Sequence, residues 1–224
     1  MTDTYSCMPK WVSLAIVAII ILACFNMLLI LAPGLPLEPD IIRRMDYITS
    51  HTVAWQFGWL TWMISAFGLL LFCFYLLNYI PDSIAKYFAI SVVAIGIVPD
   101  ISAEMIYAFV LPWLAHGDIV TRVELFRLMD FVAMQLTGTF GNGAYNIGGL
   151  ILNILLFKNH KLPVFIVIGG APAWIFGLFL SISTALNQPA AAQIFAGIAM
   201  MWSVLWMLAV ALIIYAAPQR YRVE

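Results

Sequence analysis

Six runs of mostly apolar residues, at 11–32, 52–77, 84–114, 131–157, 164–186 and 190–217, leave this chain little choice of fold. A helix needs about 20 such residues to cross a hydrocarbon core of about 30 Å. No water inside that core can take the backbone N–H and C=O groups. Each crossing segment must therefore bond its own backbone, and the α-helix does so. The expectation is an all-α integral membrane protein: a six-transmembrane-helix bundle, one polytopic domain over residues 1–224, with its third helix kinked at a proline. Composition agrees. The chain is 64% hydrophobic and 9% charged, where soluble domains carry about 25% charged residues. A formal net charge of −1 gives no basic surface for nucleic acid. The expected partners are membrane lipid and a small-molecule ligand, with a homo-oligomer left open.

The breaks between runs fit this division. Pro33, Gly34, Pro36 and Pro39 separate the first two spans, and Pro81-Asp82 turns the chain into the third. Lys158 to Lys161 followed by Pro163, and then Asn187-Gln188-Pro189, end the fourth and fifth. Two connections read as short amphipathic lead-ins lying in the headgroup layer, at 40–50 and 119–130. The second carries Arg122, Glu124 and Arg127 among Ile119, Val123, Leu125 and Leu128. The first run is too long for a signal peptide, follows a leader containing Asp3, and lacks a small-x-small cleavage site. It is read as a retained helix. Lys10, Lys86, Lys158, Lys161, Arg220 and Arg222 fall on one side of the membrane, against Arg43, Arg44, Arg122 and Arg127 on the other. That bias places both termini in the cytoplasm. Cys7, Cys24 and Cys73 form no C-x-x-C pair, so neither a disulfide framework nor a zinc site is expected.

The chemistry concentrates in the third span, where Pro99, Asp100, Ser102 and Glu104 interrupt the apolar run. Asp100 lies about 20 Å along the helix from Lys86, near the bilayer centre. Ionisable residues there are costly and mark function by default. Asp100 and Glu104 are four apart and share one face with Tyr107, with Gly96 a turn earlier. Pro99 removes a backbone hydrogen bond beside them. Two carboxyl groups this close in a low dielectric do not both carry charge. A shared proton suits proton coupling or general-acid catalysis, and the pair also suits a bound cation. The plainer reading is that neighbouring helices satisfy both groups and the pair only fixes packing.

The fourth span carries a stripe of Gln135, Gly138, Thr139, Asn142, Tyr145, Asn146, Gly149 and Asn153 on one helical face. Small residues allow close helix approach and amides bond across it, so tight packing alone would account for the stripe. The sharper expectation is a polar wall facing Asp100 and Glu104, which makes Gln135, Asn142, Tyr145 and Asn146 ligand-binding or proton-relay candidates. In the second span His51, Trp55, Trp59 and Trp62 share a face. An interfacial aromatic belt explains Trp55 more easily than the deeper Trp62. An aromatic wall for a ligand is the alternative.

Several classes drop out. The lysines lie at segment ends, which argues against a retinal Schiff base. His51 and His116 sit in no haem motif, and no phosphate-binding glycine loop is present. No cofactor or metal is called for, and no catalytic residue is assigned. Gly169-Gly170-Ala171-Pro172 in the fifth span suggests close packing, and the sixth span is structural. Three functions remain. The leading one is binding or transport of a small solute, cation or lipophilic molecule in an intramembrane polar pocket, with proton coupling at the carboxyl pair. The second is a membrane-embedded acid/base enzyme, an isomerase or cyclase, on a lipid-soluble substrate. The third is a non-catalytic structural or assembly subunit.

Overall fold

The computed structural model describes residue 9, residues 11–116 and residues 119–216. The leader with Asp3, Cys7 and Lys10, the side chain of Ile119, and Arg220 and Arg222 lie outside the described residues. Among the described residues the chain is helical without strands. Six helices are long and apolar enough to cross a membrane: Trp11–Gly34, Thr52–Leu77, Ile84–Ala115, Arg122–Asn159, Val164–Ala185 and Pro189–Ala216. The chain is a multi-pass integral membrane protein.

The first span is α1 (Trp11–Asn26), which runs into a π-helical turn at Met27–Leu31 and a 3₁₀ turn at Ala32–Gly34. A short helix, α2 (Ile41–Ser50), follows. Asp40 caps it by accepting from the backbone N–H of Ile42 at 2.9 Å, and Arg44, Met45 and Ile48 form its buried face. This is the first expected lead-in. The second span is α3 (Thr52–Leu77), and the third is α4 (Ile84–Met105), capped by Ser83. The third continues through a second π turn at Ile106–Val110 into α5 (Leu111–Ala115). Pro99 lies inside α4 without ending it, and the wider turn falls about two to three turns later.

The fourth span differs from the expectation. Residues 119–130 form no separate lead-in but the first part of α6 (Ile119–Met134). That helix continues through a third π turn at Gln135–Gly141 into α7 (Asn142–Asn159). Neither glycine nor proline interrupts the chain near Asp130, so the helix has no reason to stop there. The remaining spans are α8 (Val164–Ala185) and α9 (Pro189–Ala216).

The spans pack in chain order as a ring. α1 lies on α3, α3 on α4, α4 on the α6–α7 helix, α7 on α8 and α8 on α9, and α9 returns to α1. Outward faces carry exposed Leu28, Leu29, Phe57, Phe67, Phe88 and Phe165, as a lipid solvent requires. The interior holds two apolar cores. One contains Ile16 and Val17 of α1, Phe72 and Leu76 of α3, Ala89 and Val93 of α4, and Leu152 and Leu156 of α7. The other contains Leu31, Trp55, Trp59, Met63, Ala103, Tyr107, Phe126 and Ala133. Along each helix the changeover between cores is marked by a polar residue: Asn26 on α1, Ser65 on α3, Asp100 on α4, Thr137 between α6 and α7.

Glycine sets how closely α4 and α7 approach. A Cβ added at Gly148 would stand 2.6 Å from the Ala89 carbonyl oxygen and 2.9 Å from the Val93 nitrogen. One added at Gly96 would stand 2.7 Å from the Tyr145 nitrogen. Those obstacles are backbone and cannot swing aside. Gly148→Ala is expected to destabilise the protein by about 1–3 kcal/mol, read as a lower melting temperature in detergent. Gly197→Ala, where nothing lies within 4 Å of the added carbon, should leave it unchanged or slightly higher. Equal effects at both positions would refute this account of the seam.

Candidate functional site

Asp100 and Glu104 point inward from α4, 4% and 0% exposed. The fourth span runs antiparallel beside them in steady register. Ala89 lies at Gly148, Gly96 at Gly141, and Asp100 at Thr137. The Asp100 Cβ would be 3.1 Å from a Cβ on Gly141, so its carboxyl is pressed against the π turn. There the Thr137 hydroxyl donates a short hydrogen bond to Asp100 Oδ1.

The π turn has local causes. Its sequence, Gln-Leu-Thr-Gly-Thr-Phe-Gly, holds two glycines and several side chains able to bond the turn itself. Thr139 Oγ1 donates to Gln135 Oε1 at 2.6 Å, and Asn142 Nδ2 donates to the Thr137 carbonyl at 2.9 Å. Such turns are rare and recur at functional sites. Three of the six spans carry one.

Glu104 is treated differently from Asp100. Neither of its carboxyl oxygens has a hydrogen-bond partner among the described residues. Buried polar groups normally have one, and leaving a polar group unbonded costs about 1–3 kcal/mol. Asn26 Nδ2 on α1 and Trp59 Nε1 on α3 are also buried without partners. Tyr107, a turn beyond Glu104, is 3% exposed and lies flat on Trp59, with ring centroids 4.3 Å apart and planes 6° apart. Trp55 Nε1 donates to the Tyr107 carbonyl at 2.6 Å, in the opened π turn. Trp55 and Trp59 meet edge to face at 5.7 Å. Both tryptophans are therefore packed on the helix that carries the acids, and Trp62 on the same face is half-buried.

The fourth-span candidates divide. Tyr145 lies within electrostatic reach of Asp100 and Glu104. The amides mostly turn elsewhere. Gln135 Nε2 donates to the Thr184 carbonyl of α8 at 3.3 Å. Asn146 bonds the Asn142 carbonyl at 2.7 Å and lies against Gly177 of α8. Asn153 Nδ2 reaches the Val167 carbonyl at 3.0 Å, and Gly149 lies under Trp174. The stripe thus serves the α7–α8 contact, while the interleaved Gly141, Ala144 and Gly148 meet α4.

One feature was missed by sequence reasoning. Arg44 of α2 and Asp130 of α6, 5% and 7% exposed, form an ion pair with Nη2 to Oδ1 at 2.8 Å. Arg44 Nε also donates to the Gly34 carbonyl at 3.0 Å, and its guanidinium sits 5.5 Å from the Phe126 ring centroid. Thr137 was equally unmarked as the partner of Asp100. A hydroxyl in a run of small residues gave no signal of its own. Outside the spans, hydrogen bonds from Lys86 and Tyr87 hold the exposed Asp82 below the usual carboxylate range. No group of three or more His, Cys, Asp or Glu able to hold a metal occurs among the described residues.

No family model, curated protein or solved structure matches this chain. The site's own chemistry therefore carries the functional reading.

The contrast between the two acids can be measured. Glu104→Met is expected to raise stability in detergent by about 1–3 kcal/mol, because it removes an unbonded polar group. Thr137→Val is expected to lower it by about 1–3 kcal/mol, because it takes the donor from Asp100. A loss of stability in Glu104→Met would show that Glu104 has a structural partner after all.

Proposed function

We propose that this protein binds or transports a small solute, cation or lipophilic molecule at the Asp100–Glu104 centre, and that Glu104 carries a proton in the process. The observation behind this reading is the Glu104 carboxyl, fully enclosed and without a partner among the described residues. A carboxylate charge left uncompensated there would cost several kcal/mol. The group is therefore carried neutral until a ligand, cation or base compensates it. A purely structural position would be more stable with an apolar side chain, so the acid's value lies in what it can bind or release. Asp100, anchored by Thr137, is the fixed member of the pair and Glu104 the exchangeable one. Tyr145 and Tyr107 supply hydroxyl-bearing neighbours on the same side of α4. The lysine bias between loops supports cytoplasmic termini, with the α2 face on the other side.

A second reading has an observation of its own. An open apolar groove of about 490 Å³ runs along the lipid side of the same seam, lined by Ile95, Val98, Pro99, Ser102, Leu136 and Phe140. Pro99 precedes Asp100 and Leu136 precedes Thr137, so the groove passes just outside the Asp100–Thr137 contact. A lipid-soluble substrate lying there would be one residue removed from the Asp100 carboxyl, and the proton donation that an isomerase or cyclase requires would need the Asp100–Thr137 contact to open toward the groove. Lipid extracts separate the two readings. An enzyme makes a new compound, whereas a transporter or binding protein redistributes one.

A lipid-soluble carbodiimide tests the shared premise, because it enters through the bilayer and forms a stable acylurea on protonated carboxyls. Glu104 is expected to be its principal target by peptide mass spectrometry, with labelling abolished in Glu104→Gln. Native mass spectrometry of protein purified in mild detergent is expected to show a bound small molecule that Asp100→Asn with Glu104→Gln loses. If Glu104 stayed unlabelled and the double variant kept every bound molecule, the reading would fail.

A further inference from the structure

Beyond the α4 acids, the α4–α6 seam holds a second ionisable cluster in line with them. The register that pairs Ala89 with Gly148, Gly96 with Gly141 and Asp100 with Thr137 continues along the two antiparallel helices. It brings Tyr107 level with Asp130. The packing agrees. Tyr107 shares one apolar cluster with Phe126 and Ala133, which flank Asp130 on α6. The Tyr107 hydroxyl lies within electrostatic reach of both Asp130 and Arg44. The order along the seam is Asp100, Glu104, Tyr107, then the Asp130–Arg44 pair. The last lies beneath α2, whose outer face carries the exposed polar side chains of Arg43, Asp46 and Ser50.

We propose that Asp130 and Tyr107 form the proton route between Glu104 and the water at the α2 face. The proposal rests on the reading of Glu104 as a proton carrier. The step is balanced. A proton from water adds to the Asp130 carboxylate, which releases Arg44 Nη2 while Arg44 Nε keeps its bond to the Gly34 carbonyl. Glu104, whose carboxyl has no hydrogen-bond partner among the described residues at rest, turns to the Tyr107 hydroxyl and takes its proton as Asp130 donates to the Tyr107 oxygen, and release runs in reverse. At rest Asp130 is paired with Arg44, Nη2 to Oδ1 at 2.8 Å. Arg44 and Tyr107 are the charged and titratable groups facing Asp130 from α2 and from the π turn of the third span. Ring packing of Tyr107 against Trp59 holds the hydroxyl in place, which makes Tyr107 a relay whose ring and hydroxyl have separable roles.

Infrared spectroscopy of the full-length protein in lipid tests this without knowledge of the solute. The protonated-carboxyl band that vanishes in Glu104→Gln reports Glu104, and its shift after transfer to D2O times proton exchange with water. Asp130→Asn, which keeps an acceptor for Arg44, is expected to slow that shift by about tenfold or more. Tyr107→Phe, which keeps the stack on Trp59, should slow it likewise, and Asp130→Glu should restore it. Asp82→Asn, on the opposite face, should leave it unchanged. An unslowed shift in either Asp130→Asn or Tyr107→Phe overturns the route while leaving the proton-carrying Glu104 intact. If no band is lost in Glu104→Gln, the underlying reading falls instead. Should Asp130→Asn fail to fold, Tyr107→Phe decides alone.

Discussion

The close approach of α4 to α7 governs the rest of the structure. Gly96, Gly141 and Gly148 remove the side chains that would separate the two backbones, and the obstacles around each of them include main-chain atoms. With the helices that close, the register cannot slip without driving a side chain into a carbonyl. Asp100 is then placed opposite Thr137 and denied access to lipid. In a medium where helices gain little from hiding apolar surface, such backbone proximity and a few hydrogen bonds decide which faces meet. The acid pair is inside the bundle because the glycines are where they are.

The buried ionisable groups are satisfied to three different degrees, and the gradient has meaning. Arg44 and Asp130 compensate each other, with the Gly34 carbonyl and the Phe126 ring taking up what remains of the guanidinium. Breaking such a pair is costly, since it strands a buried charge, so it pins α2 to α6. Asp100 has one donor. Glu104 has none among the described residues. Stability alone would reverse this order and place the least satisfied acid nearest the surface. Glu104 is instead the most deeply buried of the three acids, 0% exposed against 4% for Asp100 and 7% for Asp130.

The six spans were legible because the membrane imposes a length and a composition that few other constraints can mimic. The acid pair was legible from spacing alone, as Asp100 and Glu104 share a helical face whatever the neighbours are. The facing of α7 was not. Its polar stripe is one face on a helical wheel, yet α7 has α4 on one flank and α8 on the other. Periodicity cannot say which flank receives Asn146 and Asn153 and which receives Gly141 and Gly148. The residues themselves decide it, since α8 offers Gly170, Gly177 and Trp174 to the amide side, while α4 offers Gly96 and the backbone at Ala89 and Val93 to the glycine side. Arg44 and Asp130, 86 positions apart, each sat in a segment read as headgroup-bound, and no local pattern joins them. The π turns were hidden for a similar reason, because side-chain bonds such as Asn142 to Thr137 form only once the turn has opened.

Those turns all border the second core. Met27–Leu31 and Ile106–Val110 lie at the α2 end of their spans, whereas Gln135–Gly141 lies at mid-length beside Asp100. Among the described residues the first core contains no π-turn residue. There the packing is glycine against backbone and tryptophan against tryptophan, as where Trp174 and Trp206 meet at 5.6 Å. Glu104 lies just inside the second core, between Ala103 and Tyr107 and one turn from Asp100. Its neighbours on the helix face are therefore apolar or aromatic, while Asp100, one turn away at the glycine seam, has the Thr137 hydroxyl.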